Sequence, residues 1–428
     1  MSEYCRISTD TMSIAMVFDI SNIEKPEKIR EVKLDGHYSD SRMIGDNIYF
    51  ISNKYVNYYT DIEDKQILPR FEDSVIDEEN KYIEATDIAY FEDISNYSYM
   101  LIAGFNINNQ KPANKEVILG ASDTIYVSEE NLYVTQEKYN SFLGHSTNKC
   151  IIYKFELKNS NVILKCKGEI SGYLNNQFSM DEYEGNLRIA TTAGFDDYTN
   201  NKLYILDENL IEIGKVSDLA RGEKIYSVRF VGDIAYVVTF EQVDPLFVID
   251  LSDPENPVVK GELKIPGYSS YLHPYDENHV IGIGYNTKSN GYGGVKNTNM
   301  KMSMFDVSDL ENPKELFSID IGDDYAYSEI INNHKALFYN KSKNLIGFPV
   351  TYRTSDYRNL KIAFDIFEID LKEGFKEYGS IEAERKEYER IDRALYIDQT
   401  LYTLSNNKIV AYDLNTLDKI KVLNLVSE

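Results

Sequence analysis

One short segment, His273-Pro-Tyr-Asp-Glu-Asn-His279, brings two imidazoles and two carboxylates together in the sequence. These groups are metal ligands in some proteins and general acids or bases in others. His273, Asp276 and His279 are therefore candidate ligand-binding residues. The alternative is an ordinary turn, because Asp and Asn side chains hydrogen-bond their own backbone in turns. We favour the turn, which needs no ligand.

Two arginines occupy the same place in two similar segments. Arg42 precedes Asp46, and Arg229 precedes Asp233, by the same spacing. If both segments are innermost strands around a channel, the arginines could present positive charge to an anionic ligand. The alternative, which we favour, is an ion pair between each arginine and a carboxylate of the adjacent repeat.

Acidic loops could hold structural calcium, since Ca²⁺ prefers about six to eight oxygen ligands. None of these loops has the D-x-[DN]-x-[DN]-G pattern of a calcium loop, so solvated turn acids are the simpler interpretation. No other cofactor is predicted. The acids in question are Asp61, Glu63, Asp64, Asp196, Asp197, Asp323 and Asp324.

The familiar catalytic motifs do not occur in this sequence. It has no G-x-S-x-G elbow, no Walker loop and no H-E-x-x-H pair. A sialidase-type Asp box needs Trp, and the chain has no Trp among its 428 residues. A pair of glycosidase carboxylates could still be assembled from 70 acidic residues. We name no catalytic residue and lean against an enzyme.

Charge and hydropathy argue against some broad classes of protein. A formal net charge of −25 repels a phosphate backbone and argues against nucleic-acid binding. No apolar run approaches the roughly 20 residues of a membrane-spanning helix. The segment 1–16 lacks the basic and apolar regions of a secretory signal.

The cysteine pattern does not indicate a disulfide framework, because the chain has only Cys5, Cys150 and Cys166. Cys150 and Cys166 flank a predicted hairpin. Counting from its turn, we expect them to be nearly opposite on adjacent strands, without necessarily forming a bond.

Internal repeats indicate the architecture. A strand, an Asp/Ser turn closed by proline and a second strand recur, and a second kind of hairpin alternates with the first. Two alternating hairpins give four strands per unit, which is typical of a β-propeller blade. The recurring turns are Phe18–Pro26, Ile249–Pro257 and Phe305–Pro313.

The repeat count predicts a single all-β propeller domain over residues 1–428. Seven complete four-stranded units follow an N-terminal partial blade at 10–36, giving eight blades; the alternative is seven. A partial blade would leave a strand edge exposed. A long insertion at 54–96 is rich in Tyr, Asp and Glu.

Four stretches resemble a known family: Ser41–Asn53, Ile67–Ser74, Asn186–Gly194 and Ile225–Gly284. They are similar to the bacterial and archaeal "secreted protein containing C-terminal β-propeller domain" family, which is distantly related to WD40 propellers. The resemblance implies a β-propeller that is secreted or sits in the cell envelope. It implies no activity and no catalytic residue.

Three functions remain open. The first is a non-catalytic extracellular or cell-envelope scaffold that binds a ligand or protein, with the insertion 54–96 as its contact surface, because tyrosine is a favoured contact residue. The second is a hydrolase acting on cell-surface glycan or peptide at the mouth of the propeller channel. The third is a cytoplasmic interaction propeller.

Overall fold

The chain is all-β, and a computed structural model gives its coordinates. The structure describes residues 11–56, 67–76, 81–91, 97–120, 124–142, 145–194, 198–240, 244–291, 294–323, 325–353, 360–383 and 390–425. By internal contacts the chain divides into two compact units. Unit 1 comprises residues 1–189 and 206–212, and unit 2 comprises residues 190–205 and 213–428.

Unit 1 begins with two unequal sheets. The first has the order β1-β2-β5 and is formed by Met12–Asp19, Glu27–Asp35 and Phe71–Asp73. The second has the order β3-β4-β7-β8-β6 and is formed by His37–Ile44, Asn47–Tyr55, Ser98–Asn106, Asn114–Leu119 and Ala89–Tyr90. Its strand β6 is parallel to β8, whereas the other neighbours are antiparallel.

A four-stranded antiparallel sheet follows in unit 1. It contains β9 to β12, at Thr124–Val127, Asn131–Phe142, His145–Lys158 and Asn161–Ser171. The next sheet contains β13 to β16, at Met180–Tyr183, Asn186–Ala193, Asn200–Leu206 and Glu212–Leu219. Its strands contribute residues to both units.

Unit 2 continues with four sheets of the same kind. Strands β17 to β20 are Lys224–Val231, Ile234–Phe240, Asp244–Asp250 and Val258–Ile265. Strands β21 to β24 are Tyr268–Asp276, His279–Ser289, Val295–Asp306 and Lys314–Ile321. Strands β25 to β28 are Phe338–Asn340, Leu345–Arg353, Leu360–Asp370 and Gly374–Glu382. Strands β29 to β32 are Arg393–Ile397, Thr400–Leu404, Lys408–Asp413 and Lys419–Asn424.

Short 3-10 turns join some of these strands. They are Ala85–Asp87, Gln177–Ser179, Glu329–Ile331, His334–Ala336 and Lys341–Lys343. Among the described residues, no helix is both long and apolar enough to cross a membrane.

The predicted fold class is confirmed: four-stranded antiparallel blades follow one another along the chain. The N-terminal strands do not extend the last sheet but form an incomplete sheet of their own, as the eight-blade interpretation requires. Its third strand, β5, comes from the insertion. The sequence analysis did not predict that the insertion contributes a strand to this sheet.

The Asp/Ser turns form as the repeats predict. The backbone N–H of Ser252 donates to Oδ1 of Asp250 at 3.0 Å, and that of Ser308 to Asp306 at 2.9 Å. Glycine allows such a turn to pack on the preceding sheet. A Cβ on Gly214 would lie 2.0 Å from the carbonyl oxygen of Pro254, so no larger residue fits there.

The expected proximity of Cys150 and Cys166 is wrong. Cys150 faces Ile170 in the β11–β12 ladder, whereas Cys166 faces Lys154. Four residues along a strand span about 13 Å, well beyond the reach of a disulfide. The turn residues and an irregularity at Lys154/Phe155 offset the two positions. Neither Cys150 nor Cys166 forms a disulfide.

Candidate functional site

Three tyrosines project at one end of the five-stranded sheet. Tyr55 ends β4, Tyr90 ends β6 and Tyr97 directly precedes β7. Their exposed fractions are 67%, 71% and 61%. The ladders bring them to the same end, since Tyr55 faces Ser98 on β7 and Tyr90 faces Leu119 on β8. We call Tyr55, Tyr90 and Tyr97 the tyrosine end.

Buried side chains of the insertion hold this end in place. Phe71, Ile83 and Phe91 are each at most 6% exposed. The ring of Phe91 stacks on that of Tyr153, with centroids 3.7 Å apart. The described part of the insertion is thus packed into the core of unit 1, which limits how far the neighbouring tyrosines can move.

An ionic network ties the insertion to β2 and β4. Oδ2 of Asp35 accepts from Nζ of Lys54 at 2.8 Å and from Nε of Arg70 at 3.3 Å. Nζ of Lys54 also donates to the carbonyl oxygen of Leu68 at 3.0 Å. Burial alone would raise the pKa of Asp35, but the hydrogen bonds from Arg70 and Lys54 outweigh it and lower the pKa below its usual value.

A second, deeper ion pair lies within the N-terminal sheet, between β2 and β5, and contacts the loop after β7, at the other end of that strand from the tyrosine end. Nη2 of Arg30 donates to Oδ2 of Asp73 at 2.7 Å, and the two side chains are 2% and 0% exposed. Nη2 of Arg30 also donates to the carbonyl oxygen of Lys111 at 2.9 Å, and the backbone N–H of Ala113 donates to Asp73 at 2.9 Å. Such extra hydrogen bonds allow a charge pair to be buried.

Exposed tyrosine rings are the main chemical feature of this end of the sheet. Tyrosine presents a large, fairly rigid apolar ring with a polar tip, and it is enriched where proteins contact partners. Residues paired in a ladder point to the same face, so Tyr90 and Tyr97 lie on one face of the sheet and Tyr55 on the other. The three exposed rings are therefore candidate contact residues on both faces of this end. The tyrosine-rich composition of 54–96 predicted this region, while the positions of the three rings required the strand ladders.

The sequence-predicted residues lie elsewhere, at equivalent positions on the first strands of three sheets. Arg42 faces Tyr49, Arg229 faces Tyr236, and His273 faces Ile281. Each pair is two ladder steps from the end of its hairpin. The sequence analysis placed the two arginines at equivalent positions but did not recognise His273 as a third. An irregularity between Pro274 and Asp276 adds one residue between His273 and the end of its strand, so its spacing from the turn differs from that of the arginines.

The two arginines have different surroundings. Arg42 is exposed and makes no hydrogen bond or ion pair with the residues that the structure describes. Nε of Arg229 instead donates to the carbonyl oxygen of Leu272 at 3.0 Å, and its Nη2 donates to the hydroxyl of Tyr271 at 3.3 Å. Arg229 thus joins two adjacent first strands through neutral acceptors.

His273 continues this chain of hydrogen bonds. Its Nδ1 lies 3.2 Å from the hydroxyl of Tyr271. Arginine can only donate, so Tyr271 accepts from Arg229; the donor in the bond between Tyr271 and His273 is set by the imidazole tautomer. Burial and the Arg229 charge lower the pKa of His273 to about 4, so the ring is neutral at pH 7. The ring of Tyr339 packs edge-on, 4.3 Å away.

Asp276 and His279 form a separate pair at the hairpin turn. Nδ1 of His279 lies 2.7 Å from Oδ1 of Asp276, which also accepts the backbone N–H of Asn278 at 2.9 Å. The second bond is the predicted turn chemistry. Nearby, Nζ of Lys341 lies 3.0 Å from the ring centroid of Tyr275. The two histidines of the segment therefore have different partners.

The structure does not assemble a metal centre from these groups. The described part of the chain holds no group of three or more His, Cys, Asp or Glu side chains placed to hold a metal ion. Oδ1 of Asp323 accepts the backbone N–H groups of Tyr325 and Arg353, at 3.1 and 3.3 Å. The other calcium candidates lie outside the described residues: Asp61, Glu63, Asp64, Asp196, Asp197 and Asp324.

Similar proteins exist in two archaea. An uncharacterized protein of Archaeoglobus fulgidus is 38% identical over 299 residues, which is 69% of this chain and 42% of that protein. An uncharacterized protein of Methanocaldococcus jannaschii is 29% identical over 482 residues, covering 94% of this chain and 71% of that protein. The chain thus spans less than half of the first relative's length.

Solved structures with partial similarity include the periplasmic gluconolactonase of Pseudomonas aeruginosa. It has 10% identity and a TM-score of 0.41 over 76% of this chain and 91% of that one. A Lactobacillus plantarum protein has 10% identity and a TM-score of 0.42 over 79% and 94%.

A family model described as a beta propeller domain matches residues 2–417, nearly the whole chain. The match agrees with the succession of four-stranded sheets along both units. This chain therefore belongs to the beta propeller domain family.

Proposed function

We propose that this protein is a non-catalytic scaffold that binds a protein or cell-surface ligand through the tyrosine end. The observation that carries the proposal is the exposure of Tyr55, Tyr90 and Tyr97 at a sheet end that the Asp35 network and the buried ring of Phe91 anchor. Rigid exposed aromatic rings lose little entropy on binding and contribute much contact area. We further propose a secreted or cell-envelope location, which the family resemblance supports.

A hydrolase is the second candidate, and the Asp276–His279 pair favours it. A carboxylate on Nδ1 orients an imidazole for proton transfer at Nε2. Hydrolysis would also need a nucleophile or a second acid within reach of His279, and the turn chemistry already accounts for Asp276. Replacement of His279 by Gln would abolish a hydrolase activity and leave a binding scaffold intact.

The test compares two matched triple variants on an array of immobilised glycans and peptides. The first replaces Tyr55, Tyr90 and Tyr97 by Ser. The control replaces three other exposed tyrosines by Ser, namely Tyr139, Tyr198 and Tyr325, whose exposed fractions are 62%, 82% and 59%.

We expect the wild type and the control to bind the same array members and the first variant to lose them by at least about tenfold. Equal binding by both variants would contradict the proposal, as would failure of the wild type to bind any member.

A further inference from the structure

Strand β1 is the edge of its sheet and presents an apolar row. Ile14, Met16 and Phe18 are 45%, 49% and 49% exposed. The residues between them point the other way, and Ala15 and Val17 pack against the core of unit 1. Among the described residues, the only ladder of β1 is with β2. One edge of β1 therefore offers backbone N–H and C=O groups to a further strand.

This edge lacks the protection that the comparable strands carry. In each of the six four-stranded sheets, the last strand contains at least two charged residues, as Lys419 and Lys421 do on β32. From Met12 to Phe18, β1 has no charged residue and no proline. Charged residues and proline on an edge discourage pairing with another chain. The only charge on β1 is that of Asp19, at the end of the strand.

We propose that β1 pairs antiparallel with β1 of a second copy of this chain, forming a two-fold dimer. A two-fold axis at Met16 sets Ile14 opposite the partner's Phe18 and places apolar side chains together. Since residues 12–18 are uncharged, this pairing brings no like charges face to face. On the adjoining strand β2, the charges of this surface already pair internally, Lys28 with Glu31 at 2.5 Å and Lys33 with Glu31 at 3.0 Å.

The dimer should be weak, and added salt should strengthen it rather than weaken it. Three half-exposed side chains on each copy bury less than the roughly 800 Å² per partner of a standard interface. Each copy also carries a net charge of −25, so the copies repel. Added salt screens that repulsion and should strengthen an apolar contact, whereas it would weaken an ionic one.

Sedimentation equilibrium tests the proposal over about 1 to 300 µM protein, the range in which weak interfaces associate. We expect the mass to rise from 49.4 kDa towards twice that value, more steeply at higher salt. Met16→Lys should weaken association at least about tenfold. The control is Ile420→Lys on β32, where Ile420 is 59% exposed; it should behave as the wild type.

A wild-type chain that stays monomeric over the whole range would overturn the proposal. So would dimerisation of a folded Met16→Lys variant with wild-type affinity, or loss of the dimer in Ile420→Lys alone. Unfolding midpoints in urea show that each variant is folded. The result is independent of array binding by the tyrosine end, so either proposal can fail without the other.

Discussion

The tyrosine end of unit 1 and the Arg229–Tyr271–His273 row of unit 2 use the same residue types differently. Tyr271 is 6% exposed, and its hydroxyl links Arg229 to His273. Tyr55 and Tyr90 keep about two-thirds of their surface in solvent. A row whose polar groups already bond one another stabilises the fold. Under the proposed function, the exposed rings contact a partner, and this difference in burial distinguishes a structural set of tyrosines from a binding set.

The largest effect should come from the buried ion pair that ties the insertion to the N-terminal sheet. Arg30→Ala leaves the carboxylate of Asp73 buried without its counter-ion, and breaking a buried pair typically destabilises a protein by about 3–5 kcal/mol. Urea unfolding measures the change. Arg221→Ala, at an exposed arginine, is the control and should stay within about 0.5 kcal/mol. Equal effects of the two substitutions would show that the Arg30–Asp73 pair does not stabilise the fold.

Protonation of Asp35 at low pH should remove the stabilisation that its ion pairs with Lys54 and Arg70 provide. The pKa of Asp35 is lowered in the folded state, so the unfolded chain binds this proton first as the pH falls. The stabilisation is therefore present above about pH 4, the ordinary carboxylate range, and is lost as the pH falls through the lowered folded pKa. The stability difference between the wild type and Asp35→Asn should shrink from pH 7 to pH 3. Asp233→Asn, at an exposed position, is the control. If its stability difference from the wild type decreased by the same amount over this pH range, the effect would not come from the Asp35 network.

A smaller effect separates the two sets of tyrosines directly. Tyr271→Phe removes the hydroxyl between Arg229 and His273 and should destabilise the protein by about 1–2 kcal/mol, because both side chains lose their hydrogen bond to it. Tyr90→Phe, at 71% exposure, should change stability by less than about 0.5 kcal/mol. Thermal or urea unfolding of both variants provides the comparison, and a larger effect at Tyr90 would reverse the assignment of the two sets.

The smallest expected effect is that of a chelator. A structural calcium ion would stabilise the native state that binds it, so excess chelator would lower the Tm. We expect the melting curve to be unchanged by EDTA, because the acidic loops do not have calcium-loop spacing. A reproducible fall in Tm, reversed by added Ca²⁺, would restore the calcium hypothesis.

The fold was largely predictable because each blade repeats a local signal. The Asp250 and Asp306 turns bond their own backbone, so the sequence pattern and the structure coincide there. Long-range pairings carry no such signal. The capture of Phe71–Asp73 by the N-terminal sheet depends on the Arg30–Asp73 contact between residues far apart in sequence.

The candidate site was predictable only in part for the same reason. Composition marked 54–96 as a contact region, and the repeats related Arg42 to Arg229. The acceptors of Arg229 are a backbone carbonyl and a tyrosine on the next strand, which no spacing within one repeat reveals. The separation of Cys150 from Cys166 likewise followed from the position of the turn after Lys158, with one residue added by the irregularity in the ladder.

Covalent labelling of tyrosine rings tests the central claim most directly. The wild-type protein is labelled with and without the strongest ligand from the array, and each tyrosine is quantified by mass spectrometry. We predict that the ligand protects Tyr55, Tyr90 and Tyr97 and leaves the labelling of Tyr139, Tyr198 and Tyr325 unchanged. Protection of the second group, with the tyrosine end still labelled at its ligand-free rate, would contradict the account.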